Sequence, residues 1–195
     1  MKEGGERRYA LLLAAKDSEY VTKMYDGYYN VFVQAFGTRA RESARNLLWT
    51  PSFMPSFRRS GREGEWRWDV SIRKVMIMED LLQCTSTFGA LEDIPQCAMI
   101  IECHQDEVWE VPFGAKVLAY SEKTGVEMFC VGEHILGIQG HPEYTKDILY
   151  NLIDRLVSNE SIGRKFSEDA KAQVEAVEPD TKFWELLCKS FLKRR

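Results

Sequence analysis

Ile135-Leu136-Gly137-Ile138-Gln139-Gly140-His141-Pro142-Glu143 is a short apolar run that ends in a glycine, a histidine, a proline and a carboxylate. The run predicts a strand, and the proline marks the point where the chain leaves the sheet. His141 and Glu143, two residues apart at the end of that strand, share a face. A neutral imidazole in this setting can take the proton of a thiol, while the carboxylate fixes its tautomer and stabilises the imidazolium. The thiol itself, on a tight turn, is not in view. The same spacing also occurs in ordinary turns, so the neighbouring sequence must decide between the two readings.

Upstream, the chain reads as a close-spaced strand series. Val70 to Met78, Ala98 to Cys103, Ala115 to Tyr120, Val126 to Val131 and His134 to Ile138 are the expected strands, with Pro112-Phe113-Gly114 and Thr124-Gly125 among the turns. Downstream, apolar residues at three- and four-residue spacing predict helices over about 144–158, 161–176 and 181–193, the last with Phe183, Trp184, Leu187 and Phe191 on one face. At the other end, Tyr9 to Ala15 reads as a buried strand. Asp17 or Ser18 can cap one helix carrying Val21, Met24, Tyr25, Tyr28, Phe32 and Ala35, which Gly37 ends. An opening βα unit, a strand-rich middle and a helical end indicate an α/β protein.

Three blocks in this order resemble the C-terminal half of class I glutamine amidotransferase-like proteins, and above all the plant gamma-glutamyl peptidases. They are His104-Gln105-Asp106-Glu107-Val108, Lys123-Thr124-Gly125-Val126-Glu127-Met128, and Ile138-Gln139-Gly140-His141-Pro142-Glu143-Tyr144. Arg8 to Ala15 and Gly27 to Phe32 resemble the opening strand and helix of the same family. The resemblance covers residues 7 to about 36 and about 68 to 194. It implies one incomplete domain over 7–194, a truncated flavodoxin-like class I glutamine amidotransferase domain with an added strand-rich region and C-terminal helices. It also implies a parent activity, hydrolysis of the gamma-glutamyl bond of a small substrate such as a glutathione conjugate. His141 is then base and later acid, Glu143 its orienter, and His104 a residue of the acyl pocket. No cofactor is implied.

In the resembled family the nucleophilic cysteine sits in a glycine-flanked elbow between strand and helix, where the helix N-terminus favours the thiolate. In family order that elbow falls in the interval now held by residues 38–67, whose character is foreign to the rest. Seven of the fourteen arginines lie between Arg39 and Arg67, no lysine occurs between Lys23 and Lys74, and two prolines and two Ser-Phe pairs break any period. The segment is expected to be disordered, or to derive from altered splicing or frame. A basic arm with interleaved aromatics for nucleic acid or phosphate is the other reading.

None of the five cysteines replaces the missing one on sequence grounds. Cys103 points away from His104 and has apolar neighbours; Cys97, Cys130 and Cys188 sit in apolar patterns; Cys84 is in a polar stretch without paired glycines. Their number and spacing suit reduced thiols rather than disulfides or zinc. His104, Asp106, His134 and His141 match no standard metal-ligand spacing, so no metal is expected. Trp109 and Trp184 are expected to be packing residues rather than shelves for a cofactor. A net charge of -4 invites no nucleic acid partner, no run is long and apolar enough for a membrane, and Met1 to Glu6 lack a secretory core, which makes the cytoplasm the expected location. The oligomeric state is not legible. Two functional classes follow: a gamma-glutamyl hydrolase, inactive here for lack of its thiol unless it uses an unconventional one, or a non-catalytic binding or interaction relative or faulty gene product.

Overall fold

A computed structural model of the chain describes residues 16–37, 56–59, 68–79, 81, 91 and 94–192. The expected strand at 8–15, Cys84 and most of the arginine-rich segment lie outside the described residues.

The opening helical region is two helices where the periodicity predicts one. α1 spans Glu19–Tyr25 and α2 spans Tyr28–Phe36. Asp26 takes the left-handed conformation at φ 59° and Gly27 follows at φ 102°, a backbone geometry that interrupts the helix between them. Both candidate caps are used, one for each helix. Ser18 Oγ accepts from the Val21 amide at 3.1 Å, and Asp17 Oδ1 accepts from the Tyr28 amide at 2.9 Å. Gly37 closes α2 at φ 62°, its amide donating to the Val33 carbonyl.

The strands follow the predicted series closely. β1 is Ser56–Arg59, β2 Asp69–Ile77, β3 Cys97–His104, β4 Asp106–Glu110, β5 Ala115–Tyr120, β6 Met128–Val131 and β7 Ile135–Ile138. Two of these the periodicity did not anticipate. β4 starts one residue after β3 ends, and it pairs antiparallel with β1, four residues from within the arginine-rich segment. The main sheet has the order β3-β2-β5-β6-β7, and all of its described pairs are antiparallel. Three helices complete the chain: α3 Lys146–Ser158, α4 Arg164–Ala176 and α5 Thr181–Leu192.

Alternation along β2 and β3 sends side chains to two faces. Val75, Ala98 and Ile100 meet Leu118, Met128 and Cys130 on one face, beneath Phe36 of α2 and Trp184 and Leu187 of α5. Val70, Ile72 and Ile101 meet Leu149 and Ile153 of α3 and Ala170 and Val174 of α4 on the other. The result is a mixed α/β layer structure, with helices on both faces of an antiparallel sheet.

Helices also occupy parts of the strand edges. Among the described residues β2 pairs with β5 only at Met76 and Ile77, so no described strand lies beside its first half on that side. There the Gln173 side chain of α4 acts as a strand would, accepting from the Ile72 amide at 2.9 Å and donating to the Ile72 carbonyl at 2.5 Å. On the outer edge of β3, Met99 donates to Asp180 Oδ2, and its carbonyl accepts from the Asp180 amide and from Trp184 Nε1 at 2.9 Å. Trp184 therefore fills the core and anchors α5 to the sheet, whereas Trp109 is half-exposed on β4. Trp184→Ala is expected to cost about 3–5 kcal/mol of unfolding free energy, measured by urea denaturation, and Trp184→Phe distinctly less, because it forfeits mainly the hydrogen bond.

Candidate active site

The end of β7 delivers the histidine and glutamate together. His141 Nδ1 and Glu143 Oε1 are 3.0 Å apart, with both side chains partly buried. Engaging Nδ1 in this way leaves Nε2 as the proton-accepting nitrogen of a neutral imidazole. The ring lies flat on Tyr144, with centroids 3.9 Å apart and planes 2° from parallel, and Tyr144 stacks in turn on Tyr28 of α2 at 5.5 Å. A ring held at Nδ1 and on one face has little freedom left at χ2.

The backbone of this segment is held equally closely. Gln139 donates its amide to the Glu127 carbonyl at 2.8 Å, and its side chain bonds the Val108 amide and the Asp106 carbonyl of β4. The His141 amide donates to the Ile101 carbonyl of β3 at 2.7 Å. The chain leaving the last strand of the sheet thus reaches the outer edge of the first. Gly140 permits that approach, since a Cβ there would lie 2.5 Å from Glu102 Oε1 and 2.9 Å from the Ile101 carbonyl oxygen. The motifs around His104 and His141, 37 positions apart in sequence, become neighbours through these contacts.

His104 itself faces a group that sequence reading passed over. Its Nε2 is 3.2 Å from Glu102 Oε2, and Glu102 is fully buried against Gly140. Glu127, also buried, belongs to the same interior, as does Asp69, which sits opposite His104 in the β2–β3 register. The 3.2 Å approach is not aligned as a hydrogen bond, and neither carboxyl of Glu102 and Glu127 has a hydrogen-bond partner among the described residues. Burial, then the Asp69 charge, pushes the Glu102 carboxyl up to about 8; burial, then Glu102, pushes Glu127 up to about 8. Burial lowers the basicity of His104, so a neutral imidazole faces neutral carboxyls near pH 7. Asp69 behaves oppositely. Burial alone would raise it, but Arg73 at two 2.7 Å contacts and the Lys123 charge hold it ionised below the usual carboxylate range. The only sequence signal for this interior was polar residues at alternate, inward positions of predicted strands, at Glu102 and His104.

The described thiols lie elsewhere. Cys103 points to the opposite face from His104, as alternation requires, packing toward Tyr144 and α3, and burial pushes its thiol up to about 12. Cys188, on the inner side of α5, is buried in the core and likewise raised by burial, Cys130 is buried there too, and Cys97 at the start of β3 is half-buried. His134 is exposed in the β6–β7 turn, away from any metal-like grouping. Among the described residues no three His, Cys, Asp or Glu side chains are placed to hold a metal ion, and no helix is long and apolar enough to cross a membrane.

Comparison with known proteins places this geometry in a family. The chain is 34% identical to gamma-glutamyl peptidase 5 of Arabidopsis thaliana and 32% identical to gamma-glutamyl peptidase 3 of the same plant, covering 97% and 96% of this chain and 97% of each relative. The chain belongs to the gamma-glutamyl peptidase family. The first alignment extends over 245 positions against the chain's 195 residues, so at least 50 positions of the alignment have no residue here. Among solved structures, a glutamine amidotransferase from Thermotoga maritima is similar at TM-score 0.47 and 19% identity, over 71% of this chain and 54% of that one. One from Methylobacillus flagellatus is similar at TM-score 0.45 and 12% identity, over 71% and 55%. The chain therefore spans about half of each of these two structures. No protein-family model matches the sequence.

The buried carboxyls make stability depend on pH in a definite direction. Their folded values lie above the ordinary carboxyl range near 4.3, so the folded state keeps protons that the unfolded chain has released. The corresponding stability is fully present below that range and is lost as pH rises through about 8. Urea midpoints of the unsubstituted protein are expected to fall between pH 5.5 and 9, and Glu102→Gln to flatten that fall while stabilising the protein at pH 9. A slope unchanged by the substitution would contradict the assignment.

Proposed function

We propose that this chain keeps the acid-base half of a gamma-glutamyl thiol hydrolase and lacks the nucleophile half, so that it turns over little or no substrate. The observation that carries the proposal is the His141–Glu143 pair at 3.0 Å, its Nε2 without a partner among the described residues, while the thiols of Cys103 and Cys188 lie elsewhere and are raised by burial. In the parent reaction a cysteine thiolate attacks the gamma-glutamyl carbonyl of a small substrate, a glutathione conjugate. His141 takes the thiol proton and returns it to the leaving amine, a thioester forms, and a water activated by the same Nε2 then hydrolyses it. Glu143 holds the tautomer, and His104 with Glu102 forms a neutral wall of the acyl pocket. The relatives' names and the alignment positions that this chain does not fill support the reading.

In the same reading, residues 7–194 form one incomplete domain, and residues 38–67 stand where the family has the cysteine elbow and the glycine-rich loop of the oxyanion hole. The setting is a reducing, cytoplasmic one, as the odd number and scattered spacing of the cysteines suit. Loss of the nucleophile from a covalent mechanism removes most of the rate enhancement, leaving only what binding and the remaining electrostatics supply.

The decisive experiment is labelling with an azaserine-type gamma-glutamyl electrophile, read by intact mass, in parallel with an assay of glutathione-conjugate hydrolysis. No stoichiometric adduct on any cysteine is expected, and turnover is expected at least 1,000-fold below that of a thiol-bearing relative, roughly the loss seen on removing a triad nucleophile. Stoichiometric modification of one cysteine, with turnover abolished by its replacement with serine, would defeat the proposal.

A further inference from the structure

Outside the His141 region, one cleft among the described residues combines charge and apolar walls. It lies beside the first half of β2, where no described strand pairs on the β5 side, and α4 forms its far side. Trp68, Ser71, Arg73, Lys123, Phe166 and Asp169 are its main lining, around a space of about 210 Å³. That is smaller than the ~300 Å³ at which pockets for drug-sized ligands begin, and it suits an occupant of amino-acid size.

The charges at its floor are unequal. Asp69, 1% exposed, faces two cations, Arg73 and Lys123, whose side chains are 25% and 28% exposed. Arg73 gives Nε and Nη2 to Asp69, and its Nη1 has no hydrogen bond among the described residues. Lys123 Nζ donates to the Trp68 carbonyl at 3.0 Å and lies 3.5 Å from Asp69 Oδ2, leaving one of its three N–H groups over. Asp169 at the rim is already matched by Lys165 at 2.8 Å. Near neutral pH, Glu102 and Glu127 are held protonated by burial and do not cancel the second cation. One positive charge and two donors therefore remain without an anion, beside the apolar surfaces of Trp68 and Phe166.

We propose that this cleft binds a small monocarboxylate with an apolar body, the carboxylate bridging Arg73 Nη1 and Lys123 Nζ and the body lying between Trp68 and Phe166. Arginine and lysine side by side suit such a group, one as a directed donor and the other as a compact charge. Its lining includes no thiol, so binding there would not require a nucleophile.

The test uses the full chain and N-acetyl-L-phenylalanine, followed by titration calorimetry, with the corresponding primary amide and inorganic phosphate as the other arms. The carboxylate is expected to bind saturably and the amide and phosphate at least tenfold more weakly, the difference a charge-assisted hydrogen bond makes. Lys123→Gln is expected to weaken the carboxylate at least tenfold. Phe166→Ala, at a partly exposed position whose loss leaves the far-ultraviolet circular dichroism unchanged, weakens it severalfold. Absence of saturable binding, equal binding of the amide or of phosphate, or binding undiminished in both variants would overturn the proposal.

Discussion

The hydrogen bond from the His141 amide to the Ile101 carbonyl, 2.7 Å long, joins the two ends of the sheet. β3 and β7 are the outermost strands of the order β3-β2-β5-β6-β7, yet the chain leaving β7 comes back to the free edge of β3. A sheet whose strands twist can be brought round in this way if small residues line the crossing. Gly140 supplies the space, because its missing side chain is where Glu102 and the Ile101 carbonyl sit. That contact aligns the imidazole with its carboxylate, buries Glu102 and encloses the polar interior behind it.

That interior divides its acids by surroundings. Asp69 gains two guanidinium contacts and a lysine and stays ionised; at Glu102 and Glu127 burial outweighs the nearby groups that favour their charge, and both hold their protons. The same three side chains would be interchangeable on the surface. Exposed pairs such as Lys165–Asp169 and Lys171–Asp154 add little by comparison, since water screens them and their side chains lose entropy in pairing. Among the described residues the buried acids Asp69, Glu102 and Glu127 thus share one interior, with His104 beside Glu102 and with Arg73 and Lys123 beside Asp69.

Membership of a peptidase family does not by itself establish a working catalytic site. Family likeness resides in strands, turns and helices that depend on distributed packing, and the alignment at 34% identity runs along 97% of the relative although at least 50 of its positions are unfilled here. A covalent mechanism depends on one sulfur in one strained turn. Positions with no counterpart in this chain can remove the second while leaving much of the first intact.

Much of the architecture was legible locally. Apolar alternation located β2, β3, β5, β6 and β7 to within about two residues, helical periodicity located α3, α4 and α5, and Gly37 marked the end of α2, because these features depend on side-chain period and single-residue conformational preference. The His141–Glu143 pair was legible for the same reason, as two residues apart on one strand exit. Asp26-Gly27 defeated the single-helix reading, since periodicity carries across a break that two positive φ values create. β4 and β1 were missed because each is short and exists through the other. The partners of His104 and His141, the depth of Glu102 and Glu127, and the unmatched cation beside Asp69 belong to tertiary structure alone. They arise where segments distant in sequence meet, and a carboxylate's protonation, like a cation's lack of an anion, is set by what surrounds it in space.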